Sequence, residues 1–272
     1  MDVREMCLRL LRYVVLVCWT SRVLAGTTDP HTPDSKYVEF GKSFPNVVQI
    51  SNTIDCKKCN KTHSQIASAV VIKPHWVLTA AHVVKDSRNN VVIKDGFDHP
   101  LPYVAIHKDY DEDNVGFHDI ALAYSPAPIK LEFYPALYRK TDETGKSITI
   151  AGFGVYGTFA AGGKESDGQR RAGHNKIDGT ERAVLLARPT VAGRFPLEFG
   201  IAPGDSGGGM FIGNELAGIN SFLAAEDGKP DGTYGDDSAF TRVSLYADWV
   251  ESEIAKYEQA LQARATLNPT LE

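Results

Sequence analysis

Between Asn46 and about Tyr124 the apolar residues fall in short runs rather than at helical spacing: Val47–Ile50, Ala69–Ile72, Trp76–Thr79, Val91–Ile93 and Ile120–Ala123. Turn-forming residues separate most of these runs, so each reads as a β-strand closed by a turn. A second set covers Ser147–Ile150, Ala183–Leu186, Gly209–Ile212, Leu216–Ile219 and Ser238–Thr241. Pro126, Pro128 and Pro135 punctuate the junction from Tyr124 to Thr144, which reads as a linker between two β modules. Tyr156 to Asp178 is rich in Gly, Lys and Arg without apolar periodicity and is expected to be a long surface loop. The pattern changes near the C-terminus, where Leu245, Trp249, Val250, Ile254, Tyr257 and Leu261 approximate one helical face. The chain is therefore expected to be all-β and to end in a helix over 244–263, with a frayed tail at 265–272.

Composition sharpens this picture. With 272 residues, 43% apolar and 23% charged, the chain can bury a large core, which excludes disorder as its main state. Lys and Arg number 29 against 34 Asp and Glu and never cluster, so a nucleic-acid partner is not expected. The first 25 residues stand apart. Arg4, Arg9 and Arg12 precede the apolar run Tyr13–Trp19, and Val23-Leu24-Ala25 presents small or modest residues where a signal peptidase reads. Residues 1–25 are expected to be a secretory signal, since the run is well short of the ~18 apolar residues a membrane span needs. Arg12 and Arg22 bracket the run, and a retained anchor is the alternative. No stable membrane anchor is expected, and the mature chain should be acidic, soluble and extracellular or periplasmic.

Beyond that segment two cysteines remain, Cys56 and Cys59, spaced C-x-x-C. A zinc site would want a second ligand pair, and His63 adds only one ligand. A thioredoxin-type site would need a βαβ context that the neighbouring sequence lacks. The preferred reading is a loop disulfide in an oxidising compartment, with free thiols or a metal as alternatives. Asn60-Lys61-Thr62 adds a glycosylation sequon, usable in a eukaryotic source.

Gly204-Asp205-Ser206-Gly207-Gly208 satisfies the nucleophile pattern G-x-S-x-G, but none of the eight histidines lies after Ser206. That order excludes an α/β-hydrolase, whose histidine follows its serine. The order His, Asp, Ser remains, filled by Thr79-Ala80-Ala81-His82, His118-Asp119-Ile120-Ala121-Leu122 and Gly204–Gly209. With these motifs in this order, the chain from about Phe44 to Ile254 resembles a trypsin/chymotrypsin-family serine protease, in its divergent bacterial-type secreted form. Trp76, Ala151-Gly152-Phe153-Gly154, Gly218–Phe222 and Phe240–Val250 resemble further stretches of the family.

The resemblance implies two six-stranded antiparallel β-barrels, about 44–125 and 145–243, in a peptidase domain over 44–264. It implies an endopeptidase acting on proteins or peptides, with His82 as general base, Asp119 as its orienting carboxylate and Ser206 as nucleophile. A serine hydroxyl is a poor nucleophile at neutral pH, so an imidazole must take its proton and return it to the leaving amine. Activity should then be lost below about pH 6, as His82 protonates. The amides of Gly204 and Ser206 would form the oxyanion hole, Ser221 would brace Asp119, and the backbone of Ser221, Phe222 and Leu223 would pair with substrate. Gly200 would sit at the base of the specificity pocket, with Leu223 and Ser238 as walls, favouring small or apolar side chains. Asp236 and Asp237 lie close enough to Ser238 that a slip in register would reverse this.

No metal or organic cofactor is expected; Asp109, Asp111 and Asp113 tempt a calcium reading, but Asn114 and Ile120 stand where a calcium loop needs Gly and Glu. Protein protease inhibitors are further expected partners, and a monomer is expected. Ala67 and Val83 occupy the positions where relatives place the disulfide of the histidine loop. In zymogen relatives the Asp before the serine, here Asp205, pairs with a terminal ammonium created by proteolysis. No Ile-Val-Gly-Gly occurs near residues 26–45, so residues 26–43 read as a short N-terminal segment or propeptide. Two alternatives stay open: cleavage after Lys36, or pairing of Asp205 with Arg182, Arg188 or Arg194. A protease-fold binding protein without turnover is the alternative of a different class.

Overall fold

The computed structural model describes residues 26–56, 61–114 and 116–267. Cys59, Asn60 and the expected signal segment lie outside the described residues, as does the side chain of Cys56. Two antiparallel sheets, each curled into a half-barrel, form the body, and a third, smaller sheet joins the second half-barrel. In the first, the long hairpin Val47–Cys56 with Lys61–Lys73 is flanked by Ser87–Lys94 on one side and Trp76–Thr79 on the other. In the second, Gly209–Ile212 and Glu215–Ala225 sit at the centre, between Ser147–Gly152 and Asp236–Arg242.

Each main sheet has seven strands where six are expected. In the first, Ser87–Lys94 turns back into Phe97–Pro100 through Asp95 and Gly96, whose φ angles of 52° and 79° are the pair a two-residue hairpin turn requires. An Asp-Gly step between strand-like runs signals such a hairpin, and here it adds an edge strand.

Two cores back the sheets. The first gathers Val47, Ile50, Val70, Trp76, Leu78, Val92, Ile120 and Leu122. The C-terminal helix Ala247–Leu267 closes it with Val250 and Ile254, while Tyr257 stacks on Tyr103 and Trp76 Nε1 donates to Glu258 at 2.9 Å. Leu245 departs from the expected helical face: it lies in the 3-10 turn Val243–Leu245 and is 49% exposed. The second core gathers Ile148, Ile150, Leu185, Phe199, Met210 and Phe240.

The stretch from Tyr156 to Asp178 is not the long loop expected. It forms three strands, Tyr156–Thr158, Gly162–Glu165 and Arg171–Lys176. The apolar alternation is missing because polar or small residues take its inward positions. Arg171 is fully buried, gripped by Asp34 and Asp167 and lying 4.0 Å over the Tyr156 ring. Gly173 backs onto Phe199, where a side chain would overlap it, and buried Asn175 donates to the Phe199 carbonyl at 2.9 Å.

Residues before Phe44 are part of the fold. Thr27–Thr28 pairs in parallel with Tyr156–Thr158 and antiparallel with Phe199–Gly200, completing the third sheet. A helix the apolar pattern does not reveal, Asp34–Gly41, follows and plants fully buried Tyr37 in the second core.

Candidate active site

Trp76–Thr79 runs through the first core and delivers the chain into a one-turn helix, Ala81–Val84, which carries His82. Ala80, Ala81 and Val83 are fully buried, so the turn is held by its small and branched neighbours while the His82 side chain stays 35% exposed. Asp119 arrives from the other direction. His118 before it sits at φ +55°, uncommon for a residue with a side chain, with its ring stacked on His107 and its Nδ1 3.1 Å from the Tyr246 hydroxyl. This bend turns Asp119 inward, and Thr241 Oγ1 donates to its carbonyl at 2.8 Å.

The two side chains meet. Asp119 Oδ2 lies 2.8 Å from His82 Nδ1, and Asp119 Oδ1 accepts the His82 backbone N–H at 2.9 Å. Ser221 Oγ donates to Oδ2 as well. Ser221 reaches it because the register between Glu215–Ala225 and Asp236–Arg242 slips between Asn220 and Phe222, a bulge that re-aims the intervening side chain. Burial opposes charge on both groups, yet their mutual attraction and hydrogen bonds outweigh it. The Asp119 carboxyl is held below its ordinary value and His82 is raised above its own. The ring is thereby fixed with Nδ1 toward the carboxylate and Nε2 free for chemistry.

Ser206 lies on the turn between Phe199–Gly200 and Gly209–Ile212. Gly204 and Gly207 have φ of +92° and +83°, and a side chain on Gly207 would overlap the Ser68 carbonyl and Thr79 Oγ1 at 2.1 Å. This close approach presses the turn against the strand that leads to His82. Ser68 pins it from the first half-barrel: its amide donates to the Ser206 carbonyl at 2.9 Å and its hydroxyl to the Gly204 carbonyl at 3.1 Å. Buried Asn220 secures the other side, accepting from the Gly207 amide and donating to the Asp205 carbonyl. Among the described residues the amides of Gly204 and Ser206 donate to no group. No hydrogen bond joins His82 Nε2 to Ser206 Oγ here, a contact that commonly tightens only around substrate. Ser68, Asn220 and Thr241 escape the sequence reading because each acts through hydrogen bonds to residues distant in the chain, which no local motif announces.

Gly200 faces the ring edge of Phe159 and the hydroxyls of Ser238 and Thr27. Leu223 pairs with Ser238 across the sheet. The acids beside Ser238 are otherwise engaged: Asp237 forms a bidentate pair with Arg188, and buried Asp236 accepts the Gly232 amide. Phe222 packs over Gly116, where a side chain would meet its ring at 2.2 Å.

Asp205 is fully buried, and none of the three proposed arginines reaches it. Arg188 is engaged by Asp237 and Glu226, Arg194 by Asp178 and Glu198, and Arg182 lies over the Phe117 ring. Asp205 instead accepts three backbone amides, from Gly26 and Ala202 at 2.9 Å and Gly154 at 2.8 Å. Burial outweighs these bonds and pushes its carboxyl up to about 6.

His107, Asp109 and His118 bring ligand-type atoms within 4.8 Å of one another. The two rings stack nearly parallel at 8°, so their in-plane lone pairs do not converge on one point, and the Asp109 carboxylate is engaged by Lys108.

Comparison with known proteins accords with this architecture. The trypsin family profile matches residues 39–250. The chain belongs to the trypsin family. Serine protease SP24D of Anopheles gambiae is 25% identical over 206 residues, covering 69% of this chain and 71% of that protein. Trypsin Tyr p 3.0101 of Tyrophagus putrescentiae is 26% identical, covering 69% and 72%. Among solved structures, mouse neuropsin superposes with a TM-score of 0.62 at 18% identity, covering 78% of this chain and 95% of its own. A further serine-protease-fold neighbour, HL collagenase, gives 0.60 at 20% identity, covering 78% and 94%. These likenesses establish a chymotrypsin-like fold.

Proposed function

We propose that this trypsin-family chain is a secreted serine endopeptidase, with His82, Asp119 and Ser206 as its catalytic triad. The observation that carries the reading is the His82–Asp119–Ser221 arrangement, which holds one imidazole nitrogen on the carboxylate and leaves the other without a protein partner among the described residues. Ser206 Oγ attacks the scissile carbonyl as His82 Nε2 takes its proton, and Asp119 stabilises the imidazolium. The Gly204 and Ser206 amides receive the developing oxyanion, each such donor being worth about 3–4 kcal/mol of barrier. His82 then returns the proton to the leaving amine, and water hydrolyses the acyl-enzyme by the same steps in reverse.

The pocket favours small residues before the cut. Its base offers Gly200 and the Phe159 ring, Leu223 pairs with Ser238 along one side, and both neighbouring acids are committed elsewhere. Cleavage of a peptide library followed by mass spectrometry checks this: Ala, Ser or Val before the scissile bond is expected, and dominant Arg or Lys would contradict it. Ser206→Ala should abolish cleavage of the same library.

A further inference from the structure

We infer that Ser68, on the first half-barrel, is a positioning residue for the oxyanion hole: its hydroxyl sets the peptide plane that joins the two donor amides, those of Gly204 and Ser206. The inference rests on the proposed peptidase activity and adds a residue to its machinery. Most backbone groups of the serine turn have partners within the protein, as buried backbone requires. The Ala202 amide donates to Asp205 Oδ2, the Asp205 amide to the Ala202 carbonyl, the Gly207 amide to the Asn220 carbonyl and the Gly208 amide to the Asp205 carbonyl. Pro203 has no N–H, which leaves Gly204 and Ser206 as the turn's free donors among the described residues.

Each free amide shares a rigid peptide plane with the carbonyl before it. The Pro203 carbonyl accepts the Val155 amide at 2.9 Å, which fixes the plane of the Gly204 N–H. The Asp205 carbonyl accepts the Gly208 amide at 2.8 Å and Asn220 Nδ2 at 3.1 Å, which fixes the plane of the Ser206 N–H. Between the two lies the Gly204–Asp205 peptide. Its N–H bonds within the turn, to Ala202, so its hold on the surrounding protein comes through the Gly204 carbonyl, which accepts Ser68 Oγ at 3.1 Å. Gly204 has φ of +92° and no side chain to restrict it, so this bond decides how the two donor planes face each other.

Ser68 is built into the site for this role. It is fully buried, and its hydroxyl donates to Gly204 while accepting the Phe153 amide at 2.9 Å, a pairing that needs one group with both capacities. Its amide donates to the Ser206 carbonyl at 2.9 Å, and its carbonyl accepts Thr79 Oγ1 at 2.9 Å, from the strand that leads to His82. Phe153, Gly154 and Val155 thus direct consecutive amides at Ser68, Asp205 and Pro203, and Ser68 carries that grip across to the histidine strand. Alanine here would leave the Phe153 N–H and the Gly204 carbonyl without these partners and let the donor amides splay.

The test compares Ser68→Ala with the parent protein by steady-state kinetics on a peptide ester, by the acid limb of kcat/KM, and by amide NMR. The expected kcat falls about tenfold to a hundredfold, the scale of a donor displaced rather than removed, with KM and the acid-limb midpoint unchanged. The Gly204 and Ser206 amide resonances should move while the low-field Nδ1 proton of His82 stays. An unchanged kcat would overturn the inference, as would a fall in kcat that comes with a shifted acid limb or a lost low-field proton, the signs of general loosening. Thr79→Val removes the bond behind Ser68 and leaves its hydroxyl; it should show the same split at lower amplitude. The two substitutions together should cost less than the product of their separate losses, and independent losses would overturn the shared route. If the parent protein takes up no fluorophosphonate but the two amides still move in Ser68→Ala, the peptidase reading falls and the positioning stands. Amides that keep their resonances overturn the inference whether or not the protein is active.

Discussion

At the scale of single residues, the decisive contact is that between Asp119 and His82. Replacing Asp119 by Asn keeps the shape but offers the ring an amide in place of a carboxylate, and kcat should fall by about 10⁴ with KM little changed. Steady-state kinetics on a peptide ester checks this, and a loss in KM alone would point to a binding role. The same contact sets the pH profile. His82 is a base that works neutral, and Asp119 raises its pKa above the ordinary 6.5. The acid limb of kcat/KM should therefore have its midpoint above the 6.5 of an unperturbed ring. Activity persisting unchanged down to pH 5 would contradict His82 as base.

At the scale of elements, the polar strands of the second half-barrel carry unusual weight. Arg171 is fully buried between Asp34 and Asp167, so it ties the N-terminal helix to Arg171–Lys176. Arg171→Ala should destabilise the fold by about 3 kcal/mol, the low end for a broken buried pair because both carboxylates are partly exposed. Urea unfolding at pH 7 measures it, and a change below half a kcal/mol would show that the pair is dispensable.

These same strands mark the limit of what the sequence discloses. Strands with β-branched runs, such as Val47–Cys56 and Trp76–Thr79, are legible because apolar side chains alternate or cluster where they are buried. Arg171–Lys176 is not, because an arginine, a glycine and an asparagine fill its inward positions, and Asp34 and Phe199, against which they pack or bond, lie far away in sequence. His82, Asp119 and Ser206 are legible through local motifs. Ser68 and Asn220 are not, since each holds the serine turn through hydrogen bonds to residues far off in the chain.

For the whole molecule, pH acts on stability through groups of opposite sign. Asp119, Asp178 and Glu143 have lowered folded values, each beginning with a burial penalty that hydrogen bonds and opposite charges outweigh. Their contribution is present above the ordinary values of 3.8 to 4.5 and is lost as pH falls through the lowered folded values. Asp236 behaves in reverse: burial raises it to about 6, so its contribution holds in acid and is lost as pH rises from near 4 through 6. The thermal midpoint should thus fall steeply below pH 4, and Asp236→Asn should relieve the loss between pH 4 and 7. A scanning calorimetry series checks both, and an Asp236→Asn midpoint that tracks the parent protein across that range would remove Asp236 from the account.

Whether Ser206 is an activated nucleophile is read out by intact-mass spectrometry of the processed protein after fluorophosphonate treatment. One adduct per chain is expected in the parent protein, none in Ser206→Ala, and much slower labelling in Asp119→Asn. A folded chain beginning at Gly26 that takes up no adduct would contradict an activated Ser206 and favour a protease-fold binding protein.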